Sequence, residues 1–521
     1  MLPQNPYLIV GVLAALYAFH LLRNYLSPGL RSIPGPFAAK LSNLWRMFVV
    51  RRGQSHLSLI ALHRRYGDNV RIGPRVVSIS NMNDVIKVYN VKRGFAKTAF
   101  YEVQQQLNNG KATETLFTTL NEGFHARIKR PVANSYSMTT LTEYEPLVDR
   151  TILVLFDELD RRYATSANAC PLFEWLQYYA FDVIGELTCS KSFGFLRSGS
   201  DVDGIIEQLN QAMDYNAAVG QMPWLDHWMK KNPILSRFSG STGAVAKFAI
   251  DRLRERFSTQ PEIGDASDGK GKKTLDFVDR FVRAKETHPE TVNDGQVLSY
   301  MITNMFAGSD TTAISLRAIM YYTLKYRQVH LKLLAELDGA YAADELSVPA
   351  TWRQSQQLPY FNAVVQEALR LHPAVGLILE RLVPPEGLKL TDGTELPHGT
   401  IVGASPWVMH RQQSVFGQDV DAFRPDRWLQ SDDETAEAFE KRLKAMNGAT
   451  FTFGKGHRTC IGKNISLLEV YKMLPSFFLT YDVSLVDPDA DWKIKNSWFV
   501  RQESVEVIIR RRQLPYKGLL K

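Results

Sequence analysis

The stretch FTFGKGHRTCIGKN, residues 451–464, sets one cysteine, Cys460, between glycines, beside cations and after an aromatic pair. A thiolate that must hold a metal needs a fixed position and donors that temper its charge. Glycines let backbone N–H groups come close to the sulfur, and a helix starting just beyond it adds positive potential. Gly454, Gly456 and Gly462 meet the first need, and the pattern of IGKNISLLEVYKML predicts the helix. Arg458, two residues before the cysteine, is placed to reach an anionic group beside the metal. A buried structural cysteine in a glycine-rich turn would leave this spacing of aromatic, glycine and arginine without a reason.

The remaining cysteines, Cys170 and Cys189, make an odd total with no pair-like spacing, so a reducing compartment is expected rather than a disulfide framework. With 521 residues, 45% apolar and 22% charged, the chain can bury a large core, and no Gly/Ser- or Pro-rich linker divides it. One large domain is the preferred reading. The net charge is +8, and Arg23, Arg31, Lys40, Arg46, Arg51, Arg52, Arg64 and Arg65 all precede the first acidic residue, Asp68. The excess therefore belongs to the N-terminal segment. No aromatic-studded basic stripe follows it, so no nucleic-acid partner is expected.

That segment begins with PYLIVGVLAALYAFHLL, residues 6–22. Extended to Leu26, it approaches the ~20 residues needed to cross a bilayer. A buried core helix or a cleaved signal peptide is the alternative. The cations follow the apolar run and no small-residue cleavage site is evident, which favours an uncleaved single-span anchor over residues 1–28 with the body on the cytoplasmic side. SIPGPF, residues 32–37, reads as a stiff hinge inside a basic membrane-proximal segment, 29–54, ahead of a catalytic domain over 55–521.

Helical periodicity dominates from about residue 55. The longest apolar runs, Pro171–Phe193 and Gln296–Arg327, predict helices, and the second belongs in the middle of a large core. Asn304, Ser309, Asp310 and Arg317 interrupt it, which argues against a membrane span. Short strands are expected at 75–80, 400–406 and 504–511, and a solvated loop at 259–273. The fold class is mainly α with a minor β-sheet. Asn464-Ile465-Ser466 fits a glycosylation pattern, and its place beside Cys460 marks it as a chance match.

Phe453-Gly454-x-Gly456-x-Arg458-x-Cys460-x-Gly462 closely resembles the haem-ligand signature of the cytochrome P450 family. Three further motifs fall in the family's order. EALR puts Glu367 and Arg370 at i, i+3 on one helix face, and FRPDRW supplies Arg427. The resemblance implies a buried ion-pair network of these three that braces the thiolate loop. AGSDTT, residues 307–312, interrupts the long helix, where glycine costs about 1 kcal/mol relative to alanine and a buried acid is expensive without partners. A locally satisfied kink would also account for it. The resemblance implies that Gly308 makes room for dioxygen over the haem, and that Asp310 and Thr311 relay the protons that cleave the O–O bond.

The implied cofactor is haem b, with Cys460 as its axial iron ligand and Phe453, Gly454, Gly456 and Arg458 around it. The family often pairs an aromatic or histidine with an arginine four residues on, both reaching a haem propionate. HARIKR departs from that pattern: it offers His125 and Lys129, with Arg127 or Arg130 as substitutes, and LER adds Arg381. Lysine keeps the charge but lacks the bidentate fork. By position in the family, Phe100, Tyr101, Met305, Phe306, residues 374–379 including Leu377, and residues 496–500 including Trp498 line the substrate pocket. Their apolar character suits a hydrophobic small molecule or plain core.

A haem-thiolate centre favours O–O cleavage. No dinucleotide-binding fingerprint follows a strand, so electrons are expected from a separate protein; the resemblance implies the NADPH–haemoprotein reductase, with Lys455, His457 and Lys463 as candidate docking cations. The resemblance places the chain in the endoplasmic reticulum membrane. HARIKRPVANSYSM has the flavour of fungal secondary-metabolism members such as the pisatin demethylase group, which implies a terpenoid, alkaloid or polyketide intermediate as substrate. Two other functions compete: a haem-thiolate isomerase or dehydratase, which often lacks the acid–alcohol pair, and a haem sensor, which usually adds a signalling module.

Overall fold

The computed structural model describes residues 6–91, 95–108, 111–166, 168–232, 234, 243–258, 275–503 and 505–514. The loop expected at 259–273 lies outside them. Asp294–Lys325 forms one unbroken helix through the centre of the molecule, buried along most of its length. Asn293 caps its start by accepting from Gln296 N–H. Around it pack Leu172–Cys189, almost wholly buried, Pro359–Leu371, and Lys463–Thr480, the helix expected after the cysteine. The largest apolar core joins these helices with Glu145–Leu159. A helix surrounded by other helices must be apolar on most faces, which is why this one carries so little amphipathic character.

The strands are short and peripheral. Asn69–Gly73 pairs antiparallel with Val76–Ile79, which runs parallel to Ile401–Gly403, itself antiparallel to Arg381–Leu382. Val507–Arg511 pairs with Tyr481–Leu485. Ile494–Ser497 and Phe499–Gln502 form a hairpin whose turn is Trp498 alone. The expected strands at 75–80, 400–406 and 504–511 are therefore present but shorter, because ladder pairing stops where the chain turns.

Pro6–Tyr25 is a helix whose apolar window is unburied, long enough to cross a bilayer. The expected hinge after it is packed rather than free. Buried Arg71 donates to the carbonyls of Asn24 (2.5 Å), Tyr25 (3.1 Å), Leu30 (3.1 Å) and Pro74 (2.7 Å), and its own N–H reaches Pro34 O at 2.7 Å. Leu30 and Ile33 lie in a core cluster with Val77 and Val402, and Ala39, Arg46 and Val50 are buried too. A guanidinium taken out of water needs acceptors, and the chain entering from the first helix supplies them.

Candidate functional site: a thiolate cleft

Pro359–Leu371 places Glu367 and Arg370 on one face. Glu367 accepts from Arg370 Nη2 and Nε (both 2.8 Å), Arg427 Nε (3.2 Å), Trp428 Nε1 (2.9 Å) and Arg424 N–H (3.0 Å). Burial works to raise its pKa, and the two guanidiniums outweigh that and hold it below the usual range. The next link was not visible in the sequence. Buried His410 accepts from Phe451 N–H at Nε2 (2.6 Å), so its Nδ1 carries the proton and donates to Arg370 O (2.9 Å). The ion-pair network thus ends on the first residue of the cysteine loop.

In that loop Gly454 and Gly456 both have positive φ, +69° and +72°. A Cβ on Gly456 would sit 2.5 Å from Asn90 O, so glycine is required there twice over. Cys460 N–H donates to Phe453 O at 2.9 Å, closing the loop. The Gly462 and Lys463 amides, at the start of the following helix, lie near enough to the sulfur to favour its thiolate. Desolvation pushes its pKa up, while these amides and the Lys129 and Lys463 charges pull it down. Cys460 is nevertheless exposed, in a loop whose other residues are buried or half-buried, so a ligand can reach it. Asn464, of the glycosylation pattern, is occupied in donating to Tyr136 O at 2.9 Å.

The central helix opens on a cleft as well. Ala307 is exposed in the middle of a buried helix, and Thr311, one turn on, is half-buried on the same side. Tyr136 ties the two elements together: its carbonyl accepts from Asn464 and its hydroxyl donates to Asn304 Oδ1 at 2.6 Å. Thr311 Oγ1 donates to Ala307 O (2.7 Å), whereas Thr312 is buried with Oγ1 lacking a protein partner. Thr311 is therefore the hydroxyl at the cleft. The Cβ that Gly308 lacks would meet Ile184 at 2.9 Å, so the glycine lets the helices Leu172–Cys189 and Asp294–Lys325 touch, while Ala307 beside it is exposed. Asp310 also faces Leu172–Cys189, buried, with Oδ1 accepting from Gln177 Nε2 at 2.6 Å.

A cluster of cations converges near the loop. Arg458 is held by Glu122 through Nε (3.0 Å) and Nη2 (3.0 Å). His457 joins Glu122 at 2.7 Å, so it is not the free docking cation expected of it. Burial favours the neutral carboxyl, but His457 and Arg458 bring Glu122 down to about 2. Lys129 Nζ donates to His457 O (3.0 Å), bonding it to the cysteine loop, while Arg127 and Arg130 are exposed. His125 is buried, its pKa lowered to about 3 by desolvation and by Arg458 and Lys129. Sequence reasoning missed Lys97. It bridges to Arg381 by backbone pairing and sits 4.2 Å over the Tyr101 and Phe117 rings. Burial and the Arg381 and Arg458 charges push its pKa well down. Glu380 is taken by Arg46 and Thr98, so among the described residues Glu122 is the carboxylate that offsets Lys97, Lys129, Arg381 and Arg458. Such a cluster calls for an anionic ligand.

Of the expected substrate residues, Phe100, Leu377 and Trp498 come together with Tyr101 and, less deeply, Phe117 and Leu120. Phe306 packs elsewhere, against the main core. Trp498 is held at φ +75°, a costly conformation for a bulky residue, with its carbonyl accepting from Gly376 N–H. A cavity of about 40 Å³ touches Phe100, Leu377 and the Arg46–Glu380 pair.

These residues fit haem. Cys460 is open to a ligand, Ala307 is exposed on a helix tied to the cysteine's helix through Tyr136, and the surplus cations suit two propionates. The sequence pattern described as Cytochrome P450 matches residues 34–509. A cytochrome P450 monooxygenase of Aspergillus terreus is 40% identical over 92% of this chain and 95% of its own length. The cytochrome P450 monooxygenase cicH of Emericella nidulans is 37% identical over 93% of this chain and 94% of its own. The mpaDE monooxygenase of Penicillium roqueforti is 38% identical over 94% of this chain, which spans 56% of that protein. The chain belongs to the cytochrome P450 family. It is a haem-thiolate monooxygenase that binds haem b and uses dioxygen, a small-molecule substrate and a redox partner.

Proposed function

We propose that this monooxygenase oxidises a hydrophobic secondary-metabolite intermediate at the cytoplasmic face of the endoplasmic reticulum, with electrons from NADPH–haemoprotein reductase. The observation that carries the reading is Cys460, exposed while tied by its loop to the Glu367 network. Bound haem supplies the oxidation, placing one atom of dioxygen in the substrate and reducing the other to water with two electrons and two protons. Cys460 holds the iron, with Phe453, Gly454 and Gly456 shaping the loop around it. Arg458, Lys129, Arg381, Lys97 and His125 hold the propionate edge.

Thr311 offers its hydroxyl proton into the cleft once Oγ1 leaves Ala307 O, and Asp310 replaces that proton. The aromatic cluster of Phe100, Tyr101 and Trp498 keeps water out. The cavity of about 40 Å³ beside Phe100 and Leu377 borders this cluster. Lys455 and Lys463, beside the thiolate loop, suit an acidic reductase surface.

We place residues 1–28 in the membrane as an anchor to the catalytic body. Exposed Phe37, Phe48, Trp224 and Trp228 on the body suit a seat at the lipid interface. The relatives' fungal sources support the substrate class. Reconstitution with NADPH and the reductase against a fungal metabolite extract should yield products gaining one oxygen or losing a methyl group. Turnover without NADPH would instead support an isomerase or dehydratase.

A further inference from the structure

Asp310 and Arg317 lie two turns apart on the central helix, about 10 Å along its axis, too far for a direct bond. Gln177, from the facing helix Leu172–Cys189, spans the gap. Its Nε2 donates to Asp310 Oδ1 (2.6 Å) and its Oε1 accepts from Arg317 Nη2 (2.6 Å). Arg317 is itself fixed, with Nε donating to Phe173 O at 2.8 Å. All three side chains are at least nine-tenths buried. The amide is thereby oriented: a guanidinium only donates, so Gln177 must present its oxygen to Arg317 and its NH₂ to Asp310. Asp310 Oδ2 is left buried without a protein partner.

We infer that Gln177 and Arg317 are positioning residues for Asp310, fixing which carboxyl oxygen receives the amide and leaving Oδ2 as the proton-carrying atom that resupplies Thr311. The inference rests on the relay reading of Asp310 and Thr311. An amide on Oδ1 directs the acid proton to Oδ2, and the Arg317 charge limits how far burial disfavours the carboxylate. Burial raises the Asp310 pKa, and Arg317, Arg501 from Phe499–Gln502 and the Gln177 amide lower it. Arg317 in turn feels Glu174 and Tyr178. Removing the Arg317 charge, or putting a carboxylate at position 177, therefore moves Asp310 protonation to higher pH.

The test compares Gln177→Leu, Gln177→Glu, Arg317→Met, Arg317→Lys and Asp310→Asn as full-length holoenzymes with reductase. Gln177→Leu and Arg317→Met should keep the thiolate carbon monoxide spectrum and the substrate KM. Their product per NADPH should fall about tenfold, short of the ~10²–10⁴-fold general-acid contribution, with electrons diverted to peroxide. Arg317→Lys should recover most of the loss, and Gln177→Leu should add nothing in the Asp310→Asn background. Independently of turnover, the infrared carboxyl band that disappears in Asp310→Asn should titrate at higher pH in Gln177→Glu. If Asp310→Asn uncouples but the Gln177 and Arg317 variants behave as wild type, or the band does not move, the positioning role is overturned and the relay stands. If Asp310→Asn leaves product per NADPH unchanged, the relay fails and the inference with it.

Discussion

The two walls of the cleft differ in how their buried polar groups are satisfied. Behind Cys460, Glu367, Arg370, Arg427 and His410 bond to one another and to backbone, and Gly454 and Gly456 hold the loop in a conformation other residues resist. Across the cleft, Asp310 Oδ2 and Thr312 Oγ1 are buried without protein partners, and Thr311 bonds only within its own helix. A ligand to iron must not move, and this network braces its loop through bonds already made. A group that passes protons must change partners, so its surroundings leave one bond unmade.

The comparison breaks first at Cys460. Cys460→Ala should abolish the red-shifted carbon monoxide band of the reduced protein, while Cys170→Ala and Cys189→Ala keep it. On the opposite wall, Thr311→Ala should keep that band and substrate binding yet lose about 10²-fold or more in product per NADPH, with the electrons appearing as hydrogen peroxide. Thr312→Ala is the control. Unchanged product per NADPH in both single variants and in the double variant would remove the hydroxyl from the relay.

The bonded wall should fail structurally rather than chemically. Glu367→Ala leaves Arg370 and Arg427 buried without their carboxylate, which should cost about 3–5 kcal/mol and appear as a lowered denaturation midpoint and poor haem retention. His410 gives the smallest effect and a pH signature. Burial and the Arg370 charge lower its folded pKa from 6.5 to about 3, so its contribution is complete above 6.5 and is lost as pH falls toward 3. Loss of the thiolate spectrum on acidification should therefore begin below pH 6.5 and be shallower in His410→Gln, which keeps a donor and an acceptor without titrating.

Deleting residues 1–28 sharpens a separate point. It removes two of the carbonyls that Arg71 uses, those of Asn24 and Tyr25, whereas deleting 1–23 spares both. The longer deletion should be the less stable, by about 1–3 kcal/mol.

The sequence by itself determined the parts governed by local geometry. Glycine spacing around Cys460, the i, i+3 pair in EALR, the long apolar helix and the unburied first helix each express a constraint a few residues long, and each was legible. Tertiary structure decided the rest. His410 meets Phe451 forty-one residues away, and Gln177 meets Asp310 and Arg317 across 133 and 140. Lys97 joins Arg381 only by pairing across the fold, Gly308 meets Ile184 of a neighbouring helix, and the expected hinge is packed by Arg71. Such contacts leave no periodicity in the chain, because the residues they join are brought together only by the packing of elements far apart in sequence.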